Sequence, residues 1–115
     1  MMKVMDLRPK MDNIDITLKV VDVKIIYKTP RVVESLVGDE TGMIILKTIG
    51  IDQAKRVKET EMVRLRNAKI EVLKGSMRLM VKKAGDIEPA PDVEFIVMQD
   101  KNMSLIEFDR VDVVL

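Results

Sequence analysis

Between Arg64 and Lys83 the chain carries seven basic residues (Arg64, Arg66, Lys69, Lys74, Arg78, Lys82 and Lys83) and one acid, Glu71. From Asp86 to Asp112 the balance inverts, with eight acids against Lys101 and Arg110. The net charge of the 115 residues is only +1, so the bulk figure conceals this division. Two readings fit it. The blocks are either solvated strand faces beside an acidic tail, or a basic binding face whose acidic neighbour packs elsewhere or competes for it.

Covalent and acid–base chemistry find little support. The chain has no cysteine and no histidine, which excludes disulfides, Cys/His zinc sites and Cys- or His-based catalysis. Ser35, Ser76 and Ser104 therefore lack a histidine to activate them. Asp39-Glu40 is the most compact acidic pair, but it sits between glycines in a turn, where charge is ordinary. No GxxxxGK(S/T) or GxGxxG loop occurs. A binding module is expected, with no enzyme activity, cofactor or metal. No run of about 18 apolar residues is available to cross a membrane, and Met1 to Asp6 lack the apolar stretch of a secretory signal. Together with the absence of cysteine, this leads to the expectation of a cytoplasmic protein with no membrane partner.

The elements that must position the basic residues follow from the apolar period. Hydrophobic residues make up 47% and aromatics only 3%, so the core of this single domain must be aliphatic. From Ile14 the alternation Ile14, Ile16, Leu18, Val20 shifts phase to Val21, Val23, Ile25, as a β-bulge in a long curved strand would require. Thr29-Pro30 ends that strand, because proline cannot donate to a ladder. Arg31 to Val37 and Met43 to Ile49 are two further strands joined by the Gly38-Asp39-Glu40-Thr41-Gly42 turn. Ile51 to Glu59 changes to helical spacing, through Ile51, Ala54, Val57 and Lys58, with Asp52 as the expected N-cap. Its Lys55, Arg56 and Lys58 are expected on the solvated face.

Glu61 to Leu73 returns to period two, with a second phase slip near Asn67-Ala68. Lys74-Gly75 is then the turn into a strand from Ser76 to Lys82. The order β-β-β-α-β-β predicts an all-β fold with one short helix, the five-stranded Greek-key barrel called the OB fold. The barrel with its N-terminal extension is expected over residues 1–88. Ala84 to Asp92, with Gly85, Pro89 and Pro91, is expected to be a linker leaving it. Residues 89–115 form a C-terminal extension expected to pack on the barrel. Val93 to Gln99 and Met103 to Phe108 could add a hairpin around Asp100-Lys101-Asn102, since Phe95 and Phe108 need burial.

At this level the sequence resembles a family. Val4 to Ile14, the Val37-Gly38-Asp39-Glu40-Thr41-Gly42 turn leading to Ile49-Gly50, and Arg66-Asn67-Ala68-Lys69 leading to Leu73-Lys74-Gly75 and Leu79 occur in order over about Val4 to Glu88. They look like archaeal single-stranded-DNA-binding proteins and replication protein A-like OB domains. Asn102-Met103-Ser104 is similar to a short motif that follows the barrel in them. The resemblance implies a role in DNA replication or repair, with single-stranded DNA bound across strands two, three and five and the loops at their ends.

The sequence departs from that family where bases would stack. Family members that bind DNA usually carry aromatics at the positions of Ile49, Lys69 and Leu73, and some at Met80; this chain has none of the four. Each base–aromatic stack contributes about 1–3 kcal/mol, so the remaining attraction is mostly ionic. Lys28, Arg31, Lys47, Lys69, Lys74, Arg78 and Lys82 are the expected cations of the groove, and Ile49, Leu73 and Met80 its apolar contacts. Those aliphatics fit equally well a second reading, a protein-contact domain in a replication protein A-like assembly, with other subunits as partners. A third is an RNA- or anticodon-type OB domain.

Overall fold

The computed structural model describes residues 2–92 and 95–106. Six strands form in chain order: β1 (Ile14–Lys28), β2 (Arg31–Asp39), β3 (Gly42–Ile49), β4 (Met62–Leu73), β5 (Ser76–Met80) and β6 (Ile87–Pro89). One helix, α1 (Ile51–Ala54), lies between β3 and β4. The sheet order is β1-β2-β3-β5-β4-β6, and β1 also pairs with β4. That pairing closes five strands into a barrel with the β3–β5 pair parallel and the other ladders antiparallel. The OB architecture expected from the element order is the one observed.

Both phase slips correspond to bulges. The β1–β2 register skips a residue between Val20 and Asp22. On the β1–β4 ladder, Ile14 and Ile16 face Ala68 and Leu65, so Arg66 and Asn67 together oppose Asp15, and Asn67 takes φ 51°. The bends let β1 serve both halves of the barrel, pairing β4 with its first half and β2 with its second. The barrel interior is aliphatic, with Ile16, Leu18, Ile44, Leu46, Leu65, Met77 and Leu79 essentially inaccessible. Each such side chain contributes about 1.5–3 kcal/mol by leaving water. The two-residue turn between β4 and β5 has both Lys74 (φ 53°) and Gly75 (φ 81°) left-handed, the pairing that matches the twist of a hairpin.

Three expectations need correction. The helix stops at Ala54 and does not reach Glu59, and its N-cap position is Gly50 with Asp52 inside the first turn. Ala54 and Lys55 N–H groups bond four residues back, but Arg56 and Val57 bond only three back. The backbone thus tightens so that Val57 reaches the core while Ile51 stays exposed. Ala84 to Asp92 is also not a free linker. Ala84–Asp86 makes a 3-10 turn, and β6 then adds to β4 with Ile87 fully buried opposite Leu65. An apolar side chain with a place in the core outweighs the loop bias of its glycine and prolines.

Finally, residues 95–98 form no strand and Met103–Leu105 is a 3-10 turn; Val93 and Phe108 lie outside the described residues. Backbone hydrogen bonding there is satisfied by β3 and its turn instead of by a hairpin. Met98 N–H donates to the Asp39 carbonyl (3.0 Å), and Met43 N–H donates to the Lys101 carbonyl (2.8 Å).

Candidate nucleic-acid interface

Strand alternation and register together place three rows of side chains on the outer face of the sheet. The first row, across β1-β2-β3, is Tyr27, Val32 and Ile49. The second, across all five strands, is Lys24, Glu34, Lys47, Met80 and Lys69. The third is Asp22, Leu36, Ile45, Arg78 and Glu71. Neighbouring strands lie about 4.8 Å apart, so a five-strand row extends roughly 19 Å.

The expected site residues divide on this grid. Lys47, Ile49, Lys69, Arg78 and Met80 share the face, and Leu73 and Lys74 stand at its β4–β5 edge. Lys28 and Arg31 face each other at the tip of the β1–β2 hairpin, where alternation puts Arg31 opposite in face to Val32. Lys82 lies past the end of β5 and is held by Asp12 at 3.4 Å. The Asn13 backbone N–H, and after it Lys82, keep the Asp12 carboxyl below its usual range.

Ion pairing further separates the cations. Arg78 Nε reaches Glu34 at 3.1 Å with both side chains largely covered, and its guanidinium also bonds the Ser76 hydroxyl. Lys69 is 3.2 Å from Glu71. Lys24, Lys28, Arg31, Lys47 and Lys74 have no ion pair among the described residues. Arg78 therefore acts on the face indirectly: by holding Glu34 it cancels the acid that lies between Lys24 and Lys47. Ile49 and Leu73 are 46% and 42% exposed, enough for apolar contact with a flat partner.

Two residues of this face escaped the sequence reading, Lys24 and Tyr27. The register slips a second time between Ile25 and Tyr27, which turns Tyr27 to the outer face. The signal was available: the adjacent apolar pair Ile25-Ile26 repeats the Val20-Val21 pair that marks the first bulge.

The Gly38–Gly42 turn has a different role. The buried Asp39 carboxylate accepts from Val4 N–H (3.0 Å), Thr41 N–H (2.8 Å) and the Thr41 hydroxyl (2.6 Å), and Met5 N–H donates to that hydroxyl (3.0 Å). A Cβ on Gly38 would lie 2.7 Å from Val97, and one on Gly42 would lie 2.8 Å from the Lys101 carbonyl. Glycine is needed at Gly38 first because its own turn brings the Gly42 carbonyl within 2.6 Å of such a Cβ, and at Gly42 because the C-terminal segment crosses the turn. Beyond it, Asn102 Oδ1 accepts from Ser104 N–H (2.9 Å). The Ser104 hydroxyl accepts from Ile45 N–H and donates to the Met77 carbonyl, both at 2.8 Å. It thereby bridges β3 and β5 beside their short parallel ladder.

Residues 7–89 match the family model described as single-stranded DNA binding protein Ssb-like, OB fold. The chain is 35% identical to an uncharacterized Arabidopsis thaliana protein, At4g28440, over 96% of its own length and 82% of the relative. It also resembles the solution structure of the hypothetical protein F20O9.120 from Arabidopsis thaliana, with a TM-score of 0.83 and 35% identity. That likeness covers 94% of this chain and 85% of the other. A closed five-stranded barrel agrees with these matches, and the chain belongs to the Ssb-like OB-fold family.

Proposed function

We propose that this protein binds single-stranded DNA on the outer face of the five barrel strands β1 to β5, with little sequence preference and mainly through ionic contacts. In this reading it serves as a replication protein A-related module in replication or repair. The supporting observation is the second row: Lys24, Lys47 and Lys69 punctuate a strip about 19 Å long whose central acid, Glu34, is held by Arg78. Lysines contact phosphates as flexible point charges, and phosphate contacts carry no base identity. Ile49 and Met80 supply apolar contact where stacking aromatics are absent from β2, β3 and β5.

Fluorescence anisotropy of a labelled oligo-dT at a series of salt concentrations tests the proposal. Three or four phosphate contacts at about 0.7 each predict a slope of roughly −2 to −3 in log affinity against log salt. No binding at low salt would reject it. The exposed Ile25, Ile26, Ile49 and Ile51 favour a second reading, a protein-contact domain of a replication protein A-like assembly. Sedimentation of the chain with candidate subunits would then detect a complex that oligo-dT does not displace.

A further inference from the structure

We infer that the β1–β2 hairpin carries a base-stacking subsite centred on Tyr27, so that a bound single strand runs onto this hairpin. The inference rests on the nucleic-acid reading above and assigns it a platform. Tyr27 belongs to β1, not to the strands from which the resemblance would draw its aromatics.

Three observations carry it. First, the chain has one tyrosine, two phenylalanines and no tryptophan, and Tyr27 is 65% exposed on the sheet's outer face beside Val32 and Ile49. The slip at Ile26 is what turns the ring to that side. Without it, Tyr27 would share the inward phase of Ile25, whose partner Val33 is buried. Second, the three side chains of this row form an amphipathic floor: a ring with a polar edge, then two aliphatics. Any nucleobase offers a π-face to such a ring, which makes the contact tolerant of sequence.

Third, the charge around the row suits a polyanion. Lys24 and Lys47 occupy the adjoining row, and Lys28 and Arg31 sit at the hairpin tip. None of these four has an ion pair among the described residues, whereas Glu34 between the lysines is neutralised by Arg78 at 3.1 Å. Asp22 lies one row further off, beyond Lys24. An apolar protein surface would gain nothing from Lys24 and Lys47 at its border, with two further cations at the hairpin tip on the other side. A base with phosphates on either side uses both parts.

The sequence also provides the test. With a single tyrosine and no tryptophan, emission excited at the tyrosine band reports on Tyr27 alone. Titration of the full chain with oligo-dT should quench that emission and saturate at the same concentration as the anisotropy of labelled oligo-dT. Tyr27→Ala should weaken binding about 5- to 150-fold, the range of one base–aromatic stack, and Tyr27→Phe should bind within about threefold of the parent. Unchanged thermal midpoints in both variants would show that folding is not the cause. If anisotropy rises while emission stays constant and Tyr27→Ala binds like the parent, the subsite is wrong and the ionic face stands. If neither signal responds, both readings fail. Emission that changes with protein concentration alone, with dimer in sedimentation, would assign the row to self-association and overturn the inference.

Discussion

The β2–β3 hairpin has two ends of opposite chemistry. At the closed end, Gly38 to Gly42, the buried Asp39 carboxylate has three donors, and the C-terminal segment bonds to the turn through Met98 and Lys101. At the open end, where β2 leaves the β1 hairpin and β3 reaches Ile49, Tyr27, Lys28 and Ile49 are exposed, Arg31 and Lys47 are half-buried, and Lys28, Arg31 and Lys47 lack ion-pair partners among the described residues. The closed end is built to stay together. The open end exposes apolar side chains beside cations that no acid neutralises, the combination a polyanion-binding surface offers. On the proposed function, stability belongs to one end and recognition to the other, so substitutions at each should move different observables.

The largest expected effect is at the closed end. Asp39→Ala should cost about 3 kcal/mol in urea unfolding, because buried donors lose a charged acceptor. Oligo-dT affinity of the folded fraction should stay within about twofold. A large affinity loss without destabilisation would break the division. Ser104→Ala should cost about 1–2 kcal/mol, since the Ile45 N–H and Met77 carbonyl lose their shared partner; thermal melting checks this.

At the open end the direction reverses. Lys47→Ala should leave the thermal midpoint nearly unchanged, because the half-buried Lys47 has no ion pair to lose among the described residues. It should weaken oligo-dT binding about fivefold at low salt and reduce the salt slope by about 0.7, one phosphate contact. An equal slope in parent and variant would remove Lys47 from the ionic face.

The smallest effect belongs to a pair at neither end. Asp15 accepts two hydrogen bonds from Arg64, at 2.9 and 2.7 Å, and this guanidinium holds its carboxyl below the ordinary value of 3.8. A lowered folded value means the stabilisation is complete above 3.8 and is lost as pH falls through the lower value. Because the pair is about half exposed, Asp15→Asn should cost under roughly 0.5 kcal/mol at neutral pH. The gap from the parent should close in acid and shrink in high salt, as paired denaturant curves would measure.

The barrel was legible in the sequence because its signals are local. Apolar alternation, adjacent apolar pairs at bulges and one change of period are enough to order the strands, and the family-like turn agrees with them. Helix length was misjudged because Val57 reaches the core through a tightened backbone, which mimics helical spacing without a continued helix. The face was legible in part. Lys47, Ile49, Lys69, Arg78 and Met80 follow from alternation within single strands. Tyr27 joins them only through the second slip in β1, a matter of register between strands, whereas Lys24 already points outward after the first slip and was passed over. Pairing is likewise invisible to composition: Arg78, Lys69 and Lys82 count as positive charges in the sequence, yet each has a carboxylate partner in the fold. The Gly-Asp-Glu-Thr-Gly turn reads as a family mark, and its structural role appears only once residues 4, 5, 98 and 101 converge on it.

Backbone amide chemical-shift mapping of the full chain with oligo-dT tests the central claim most directly. The account predicts shifts at Lys24, Tyr27, Val32, Lys47, Ile49 and Met80, fading as salt is added, with Gly38 to Gly42 unmoved. Shifts confined to the Gly38–Gly42 turn and the C-terminal segment, or none at low salt, would contradict it.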